Sequence, residues 1–243
     1  MDADSSRMVH VSLTKDELLD RYEATGDEEA YRAARPLYEE ALGQAPDARL
    51  LVRYGYLLEC HGRRSLRQAV EQYERAIELD PSFDKAHYQL IGARAGLREH
   101  ELSIDRYERR LSAAPTDLRQ HRFLASAYLL AGQFSKARSV IDAGLKLAPE
   151  DPMLIELRGD VRSHLRDPDG ALADWRRAHE LEPGNLSSIY SSAFLLEREG
   201  RPQAAIEAWL YIVDWCESQG YELGAEWPKR ELERLRRAAS GRA

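Results

Sequence analysis

The chain has 243 residues, of which 32% are charged and only 8% are aromatic. Leu, Ala, Glu and Arg dominate while Val, Ile and Thr are sparse, a composition that favours helices and argues against a large sheet. The formal net charge of −7 is carried by residues 1–47, and the rest of the chain is neutral overall. A neutral body argues against general nucleic-acid binding, which needs a basic stripe to neutralise phosphates.

The acidic start of the chain is its strongest charge feature. Residues 1–47 hold 12 acidic and 5 basic side chains, whereas the remainder holds 30 of each. The segment is either a solvated surface or a docking surface for a basic partner, and the sequence leaves both interpretations open.

Cellular location is indicated by cysteine use and by the pattern of apolar residues. Cys60 and Cys216 are the only cysteines, too few for a disulfide framework. Residues 1–16 show no apolar core of a signal peptide, and no apolar run approaches the roughly 18 residues that span a membrane. We therefore expect a cytoplasmic protein with no membrane partner. Its 30 Arg against 5 Lys indicate codon bias from a GC-rich genome, and we expect a bacterial protein.

A series of regularly spaced prolines organises the chain. The spacing is 34 or 35 residues, and the prolines are Pro46, Pro81, Pro115, Pro149 and Pro183. Proline cannot continue a helix, so each is predicted to end the second helix of a helical pair. Twelve positions before each proline stands a small residue: Ala34, Ala69, Ser103, Ala137 and Ala171. Eight positions before each stands a bulky one: Tyr38, Tyr73, Tyr107, Ile141 and Trp175. Residues at this spacing share one helix face and predict a buried stripe.

The pattern is most complete between Tyr54 and Pro81. This segment reads Tyr54-Gly55-x2-Leu58, followed by Ala69-x3-Tyr73-x2-Ala76-x4-Pro81. It resembles the tetratricopeptide repeat, with its Trp-x2-Leu-Gly-x2-Tyr, Ala-x3-Phe and Pro positions. The resemblance covers roughly residues 14–218. It implies an all-α fold, a right-handed superhelical solenoid of about six helix-turn-helix hairpins with a C-terminal capping helix.

The repeat register predicts the domain organisation in chain order. Residues 1–13 are expected to form a flexible N-terminal segment. The six predicted hairpins span about 14–47, 48–83, 84–116, 117–151, 152–184 and 185–218. Residues 219–243 are expected to form a loop, a capping helix opened by Trp227-Pro228, and a short tail.

Three local signals refine the predicted helix boundaries. Pro36 lies inside the second helix of the first hairpin and predicts a kink or a late helix start there. Thr14-x-x-Glu17 and Asp117-x-x-Gln120 have the sequence of capping boxes, which mark helix starts.

Motifs for catalysis are missing from the sequence. It contains no glycine-rich phosphate loop, nucleophile elbow or metal-binding motif. His87 and His121 occupy equivalent places 34 residues apart, and packing between repeats is the favoured interpretation. Cys60 has no evident base. We therefore expect no enzymatic activity, no catalytic residue, no metal and no cofactor.

The resemblance also implies a binding groove, because the first helices of such hairpins line a concave surface that grips a peptide or a helix. The groove candidates transferred by register are Arg49, Tyr56, Lys85, Tyr88, Arg119, Arg122, Ser126, Glu156, Asp160, Tyr190 and Phe194. They are basic and aromatic in hairpins two to four, acidic in hairpin five and aromatic in hairpin six. Tyr190 and Phe194 either bind a partner or pack on a neighbouring repeat. The Lys and Asn pair with which the family clamps a chaperone tail is missing from these positions.

The sequence therefore predicts a scaffold or adaptor that binds a partner peptide or helix in its groove. The alternative is an accessory subunit or regulator of a bacterial biosynthetic or signalling pathway, and an unrecognised enzyme is a weaker one. A ligand-sensing regulator with an N-terminal DNA-binding domain is disfavoured, because residues 1–13 are too short for one. Self-association remains a possible mode of interaction.

Overall fold

Paired helices make up the part of the chain that the computed structural model describes, residues 13–62 and 65–239. Within these ranges there are thirteen helices and no strand. In chain order they are α1 (Lys15–Thr25), α2 (Glu28–Gln44), α3 (Ala48–Cys60), α4 (Leu66–Leu79), α5 (Asp84–Gly96), α6 (His100–Ala113), α7 (Leu118–Leu130), α8 (Phe134–Leu147), α9 (Pro152–His164), α10 (Pro168–Leu181), α11 (Ser187–Arg198), α12 (Pro202–Ser218) and α13 (Glu222–Ala239). Over the described ranges, none of these helices has the length and apolar character to cross a bilayer. The predicted flexible start, apart from Leu13, and residues 240–243 of the predicted tail lie outside the described residues.

The chain divides into two compact units, one ending at Ala86 and the other beginning at His87. In the first unit, α1 packs on α2, α2 on α3 and α3 on α4. In the second unit, each helix from α6 to α13 packs on the next one along the chain, and the first helices α7, α9 and α11 also contact one another in series. Neighbour-to-neighbour packing of this kind is the hallmark of a helical-repeat stack.

The predicted buried stripe forms the core of both units. All five small residues and all five bulky residues of the stripe are buried. In two hairpins whose bulky residue is a large aromatic, the facing first helix carries a glycine. A Cβ atom built on Gly55 would lie 2.5 Å from Cε1 of Tyr73, and one built on Gly159 would lie 2.6 Å from Nε1 of Trp175. The two helices of these hairpins therefore approach each other through a glycine notch that the ring fills.

Of the two predicted capping boxes, the first is confirmed. The backbone N–H of Glu17 donates to Oγ1 of Thr14 at 3.3 Å, and the N–H of Thr14 donates to the Glu17 carboxylate at 2.7 Å. In the second predicted box, the hydrogen bond from the Asp117 N–H to the Gln120 side chain is not formed, so this prediction is wrong. Asp117 caps α7, but Nε2 of Gln120 donates to the Asp117 carboxylate at 3.0 Å, because the Asp117 N–H is already bonded to the carbonyl of Ala114.

The expectations for two prolines need correction. At Pro36 the late-start alternative is wrong, since α2 starts at Glu28 and runs through Pro36; the kink stays a prediction. The capping helix does not begin at Trp227-Pro228 either, since α13 starts at Glu222 and contains Pro228. Burial of Ala225 against the core of α11 and α12 explains why the early turns of α13 are ordered.

The glycine notch yields a stability prediction for the first unit. Gly55→Ala places a methyl group against the buried Tyr73 ring, and we expect a loss of about 1–3 kcal/mol of unfolding free energy. Gly43→Ala is the matched control, because Gly43 lies in α2 with no atom within 4 Å of its added Cβ. That control should gain about 0.5–1 kcal/mol. Urea unfolding followed by far-UV circular dichroism, with hydrogen exchange of α3 and α4, measures both. Equal effects of the two substitutions would refute the notch.

Candidate functional site

Three groove candidates, Arg49, Tyr56 and Lys85, belong to the first unit, and they do not come together in one site. Arg49 and Lys85 are exposed. Tyr56 is half-buried, and its hydroxyl donates to Oε1 of Glu23 on α1 at 2.8 Å. Tyr56 thus links the first two hairpins.

The acidic start is partly neutralised within the same unit. Nε of Arg53 lies 2.7 Å from the carboxylate of Asp16, and a second nitrogen lies 3.5 Å from that of Asp20. Tyr38 also donates to Asp16 at 2.6 Å. The hydrogen bond from Tyr38 and the charge of Arg53 outweigh desolvation and hold the pKa of Asp16 below its usual value. These contacts use part of the acidic charge in packing within and between the first two hairpins.

In the second unit, two of the groove candidates, Arg122 and Glu156, form joints between hairpins, and a third, Ser126, is buried. Arg122 on α7 forms an ion pair with the buried Asp151, which also caps α9 by accepting the N–H of Leu154 at 2.9 Å. Ser126 is buried. Glu156 is buried as well, and it accepts bonds from Ser187 and from Nδ2 of Asn185 at the start of α11.

Tyr88 and Arg119 both lie against one buried ring. The Tyr88 ring packs edge-on against Phe123 with centroids 5.1 Å apart, and the Arg119 guanidinium lies 6.0 Å from the centroid of the same ring. Both side chains are half-buried. They form a small aromatic and cationic contact that is separate from the features described next.

An open cavity brings together Asp160 and Phe194. Its volume is about 580 Å³, and its lining comes from α7 to α11 together with the turn between α7 and α8. The lining includes Leu130, Phe134, Asp160, Trp175, Phe194 and Arg198. Nε1 of Trp175 donates to Oδ1 of Asp160 at 3.0 Å, so the ring that fills the Gly159 notch also positions this carboxylate.

The electrostatics of this cavity are dominated by the Asp160 carboxyl group. Burial raises the pKa of Asp160 to about 7, the nearby carboxylate of Glu156 acts in the same direction, and the Trp175 hydrogen bond opposes both. Over residues 13–62 and 65–239, Asp160 takes part in no ion pair. It is therefore a desolvated acid that faces open space.

An aromatic surface adjoins the cavity. We call Tyr190, Phe194 and Trp227 the aromatic cluster. Ring centroids of Trp227 lie 6.0 Å from Tyr190 and 5.8 Å from Phe194, and all three rings pack around the buried Trp209. Phe194 is nevertheless 49% exposed and Trp227 is 45% exposed. These rings thus pack on their neighbours and still present apolar area to solvent, and partner binding by Tyr190 and Phe194 stays a prediction.

Trp227 is the site residue that sequence reasoning missed. It lies outside the repeat register, and its Trp-Pro dipeptide by itself indicates only a helix start. An exposed Trp beside an otherwise polar helix was the available signal, since Trp is enriched at binding surfaces. The helix that caps the stack therefore also contributes to this aromatic surface.

His87 and His121 are buried in the core, and Cys60 is not an activated thiol. Nδ1 of the buried His87 lies 3.0 Å from the Tyr107 hydroxyl, and the His87 ring stacks on Phe123. His121 is buried, with its nitrogens near the carbonyls of Val140 and Pro115. Desolvation raises the pKa of the Cys60 thiol, which is the reverse of an activated nucleophile. In the described ranges, no three His, Cys, Asp or Glu residues are grouped as metal ligands.

Comparison with known proteins places this fold. No family model matches the chain. The tetratricopeptide repeat and J domain-containing co-chaperone DNJ1 of Fusarium oxysporum f. sp. lycopersici is 29% identical over 133 residues, which is 52% of this chain and 25% of that protein. This chain thus matches only a quarter of the length of that curated relative.

Two solved structures resemble the chain. TTC0263, a tetratricopeptide protein of Thermus thermophilus, matches with a TM-score of 0.56 and 21% identity over 79% of this chain and 97% of its own. The Cut9–Hcn1 hetero-tetramer of the APC/C matches with a TM-score of 0.51 and 16% identity over 80% of this chain and 41% of its own. At these identities the likeness establishes the fold. The protein is an all-α helical-repeat solenoid. The fold is one that a tetratricopeptide protein also adopts, as the resemblance found in the sequence predicts.

The joint between Arg122 and Asp151 yields a second stability prediction. Asp151→Asn keeps an acceptor for the α9 cap but removes the charge, and Arg122→Met keeps the side-chain stem. Each should cost about 2–3 kcal/mol, and the double variant should cost less than the sum. Arg177→Met, which breaks exposed ion pairs, is the control and should leave the unfolding free energy nearly unchanged. Tryptophan fluorescence reports this unit, because all four Trp lie within it. Strict additivity of the two substitutions would contradict the joint.

Proposed function

We propose that this protein is a scaffold or adaptor that binds a segment of another protein across the α7, α9 and α11 side of the second unit. The observation that carries the proposal is the exposed aromatic cluster beside an open cavity. Several other large apolar residues are exposed on the chain, among them Leu79, Leu102 and Leu147. They do not come together around this cavity as Leu130 and Phe194 do.

The chemistry of these residues supports binding of a protein segment. Aromatic rings that are rigidly packed on one edge and open on the other are typical anchors of protein interfaces. Tyr190 and Phe194 are one helical turn apart on α11, and Trp227 on α13 widens the same surface. An extended peptide or a helix could lay apolar side chains along it.

The occupant proposed here differs from a chaperone tail held by a carboxylate clamp. The Arg122 and Ser126 pair stands at the register of that clamp, but Arg122 is tied to Asp151 and Ser126 is buried. The next two pairs along the register are the acidic Glu156 and Asp160 and then the aromatic Tyr190 and Phe194. The co-chaperone named among the relatives supports protein binding as the general class of function, and we take no partner from it.

We extend the proposal to a non-enzymatic, cytoplasmic protein without nucleic-acid or membrane partners. Cys60 and Cys216 are both free, as expected in a reducing compartment. The neutral charge of residues 48–243 offers no stripe for phosphate binding.

The proposal predicts that partner capture depends on the aromatic cluster. Phe194→Ala and Trp227→Ala should each reduce recovery of partners from native lysate at least about tenfold, as expected for loss of an interface anchor. Leu147→Ala is the matched control, because Leu147 is also 49% exposed but lies on α8 away from the cluster. Affinity purification with quantitative mass spectrometry measures the recovery.

Folding must be checked in the same variants, since both rings contact Trp209. Far-UV circular dichroism and the thermal midpoint serve this purpose. If partners are recovered equally with the control and the cluster variants, the second unit does not bind in this manner.

A further inference from the structure

Most bulky residues of the hairpin core donate a hydrogen bond to the first helix of their own hairpin. Four such bonds end on carboxylates: Tyr38 on Asp16 at 2.6 Å, Tyr73 on Glu59 at 2.9 Å, Trp175 on Asp160 at 3.0 Å and Trp209 on Glu197 at 2.7 Å. Asp16 is neutralised by Arg53 and Glu197 by Arg234. The negative charge of these two acceptors is therefore balanced within the chain.

Asp160 has the same kind of donor but no compensating cation. Trp175 occupies Oδ1, and across the described residues no further donor bonds to this carboxylate. An Asn at this position would accept the Trp175 N–H without the cost of burying a charge. Holding Trp175 therefore does not explain why an ionisable acid stands at the cavity.

The other charged and titratable groups around the cavity are directed elsewhere. Glu156, one turn earlier on α9, accepts bonds from the start of α11 and adds negative charge. His164 on α9 stacks on Phe134 with centroids 4.6 Å apart. Arg198 on α11 reaches Ser163 at 3.4 Å and Glu199 at 3.3 Å. The position facing Asp160 is thus open to a cation from outside.

Building on the proposed function, we propose that the Asp160 cavity receives a lysine or arginine side chain of the bound segment while a neighbouring apolar side chain of that segment packs on the aromatic cluster. Charge complementarity selects this occupant. A desolvated carboxylate forms its strongest hydrogen bonds with ammonium and guanidinium groups. Leu130, Phe134 and the Trp175 ring line the walls that would cover the aliphatic stem of such a side chain. Phe194 belongs to both cavity and cluster, so the two subsites are contiguous.

The test is selection of a random dodecapeptide display library on the purified full chain at pH 8. The wild type should enrich peptides with a large apolar residue near a Lys or Arg. Asp160→Asn should keep the apolar preference and lose the basic one. Glu59→Gln is the matched control, because Glu59 also accepts a bond from a core ring without an ion pair, and it should leave both preferences unchanged.

The outcomes separate this inference from the proposed function. Apolar peptides without a basic preference, or a basic preference that survives in Asp160→Asn, overturn the Asp160 subsite alone. Enrichment that is insensitive to Phe194→Ala and Trp227→Ala, or no enrichment at all, overturns the proposed function and the inference with it. A dimer that Phe194→Ala dissociates in sedimentation would show that a second copy covers this face, which also overturns the inference.

The pH dependence of a selected peptide gives a second readout. Because the pKa of Asp160 is raised to about 7, its charged fraction rises from about one tenth at pH 6 to about nine tenths at pH 8. A cationic ligand requires the charged form, so its apparent Kd should be about tenfold weaker at pH 6. Asp160→Asn separates the contribution of Asp160 from that of any other titratable group. Titration calorimetry should show that the Asp160→Asn variant has lost this dependence, and an unchanged dependence would assign it to another group.

Discussion

The constraint on which the rest of the structure depends is a close contact between paired helices, in which a large ring of the second helix fills a glycine notch on the first helix in hairpins two and five. At Gly55 and Gly159 the notch is so tight that a methyl group would collide with the facing ring. This contact sets the distance between the two helices of a hairpin. It also fixes the polar end of each ring, and in the fifth hairpin that end is the donor that orients Asp160. The same residue, Trp175, therefore fills the Gly159 notch in the core and orients Asp160 at the candidate site.

Proline spacing and the small and large stripe were sufficient to predict this fold. They depend on interactions within one hairpin, which are close in sequence, and they predicted the paired helices that the structure contains. The last helix was predicted poorly. A Trp-Pro dipeptide suggests a helix start, but tertiary burial of Ala225 extends α13 back to Glu222. Local preference was overridden there by contacts that no local pattern encodes.

The candidate site was predicted less completely, because register identifies a face but not its occupants. Arg122 and Glu156 lie on the first helices α7 and α9, as the repeat register predicts. Whether either side chain is free to bind a partner depends on the groups that it contacts, here Asp151 for Arg122 and Ser187 for Glu156. These groups lie about 30 positions away in the chain. Their geometry shows that Arg122 and Glu156 connect hairpins. Asp160 and Phe194, by contrast, remain open to the cavity.

The position of Trp227 has a consequence for the order in which the protein becomes functional. Contacts along the second unit join helices that are neighbours in the chain, so hairpins can form one after another as synthesis proceeds. The aromatic cluster is different, because Tyr190 and Phe194 on α11 pack against Trp227, which lies on α13 and is synthesised later. A nascent chain that has emerged only as far as α12 would already possess the acidic cavity but lack one wall of the neighbouring apolar surface. The apolar surface proposed to bind a partner is therefore complete only after α13 has been synthesised.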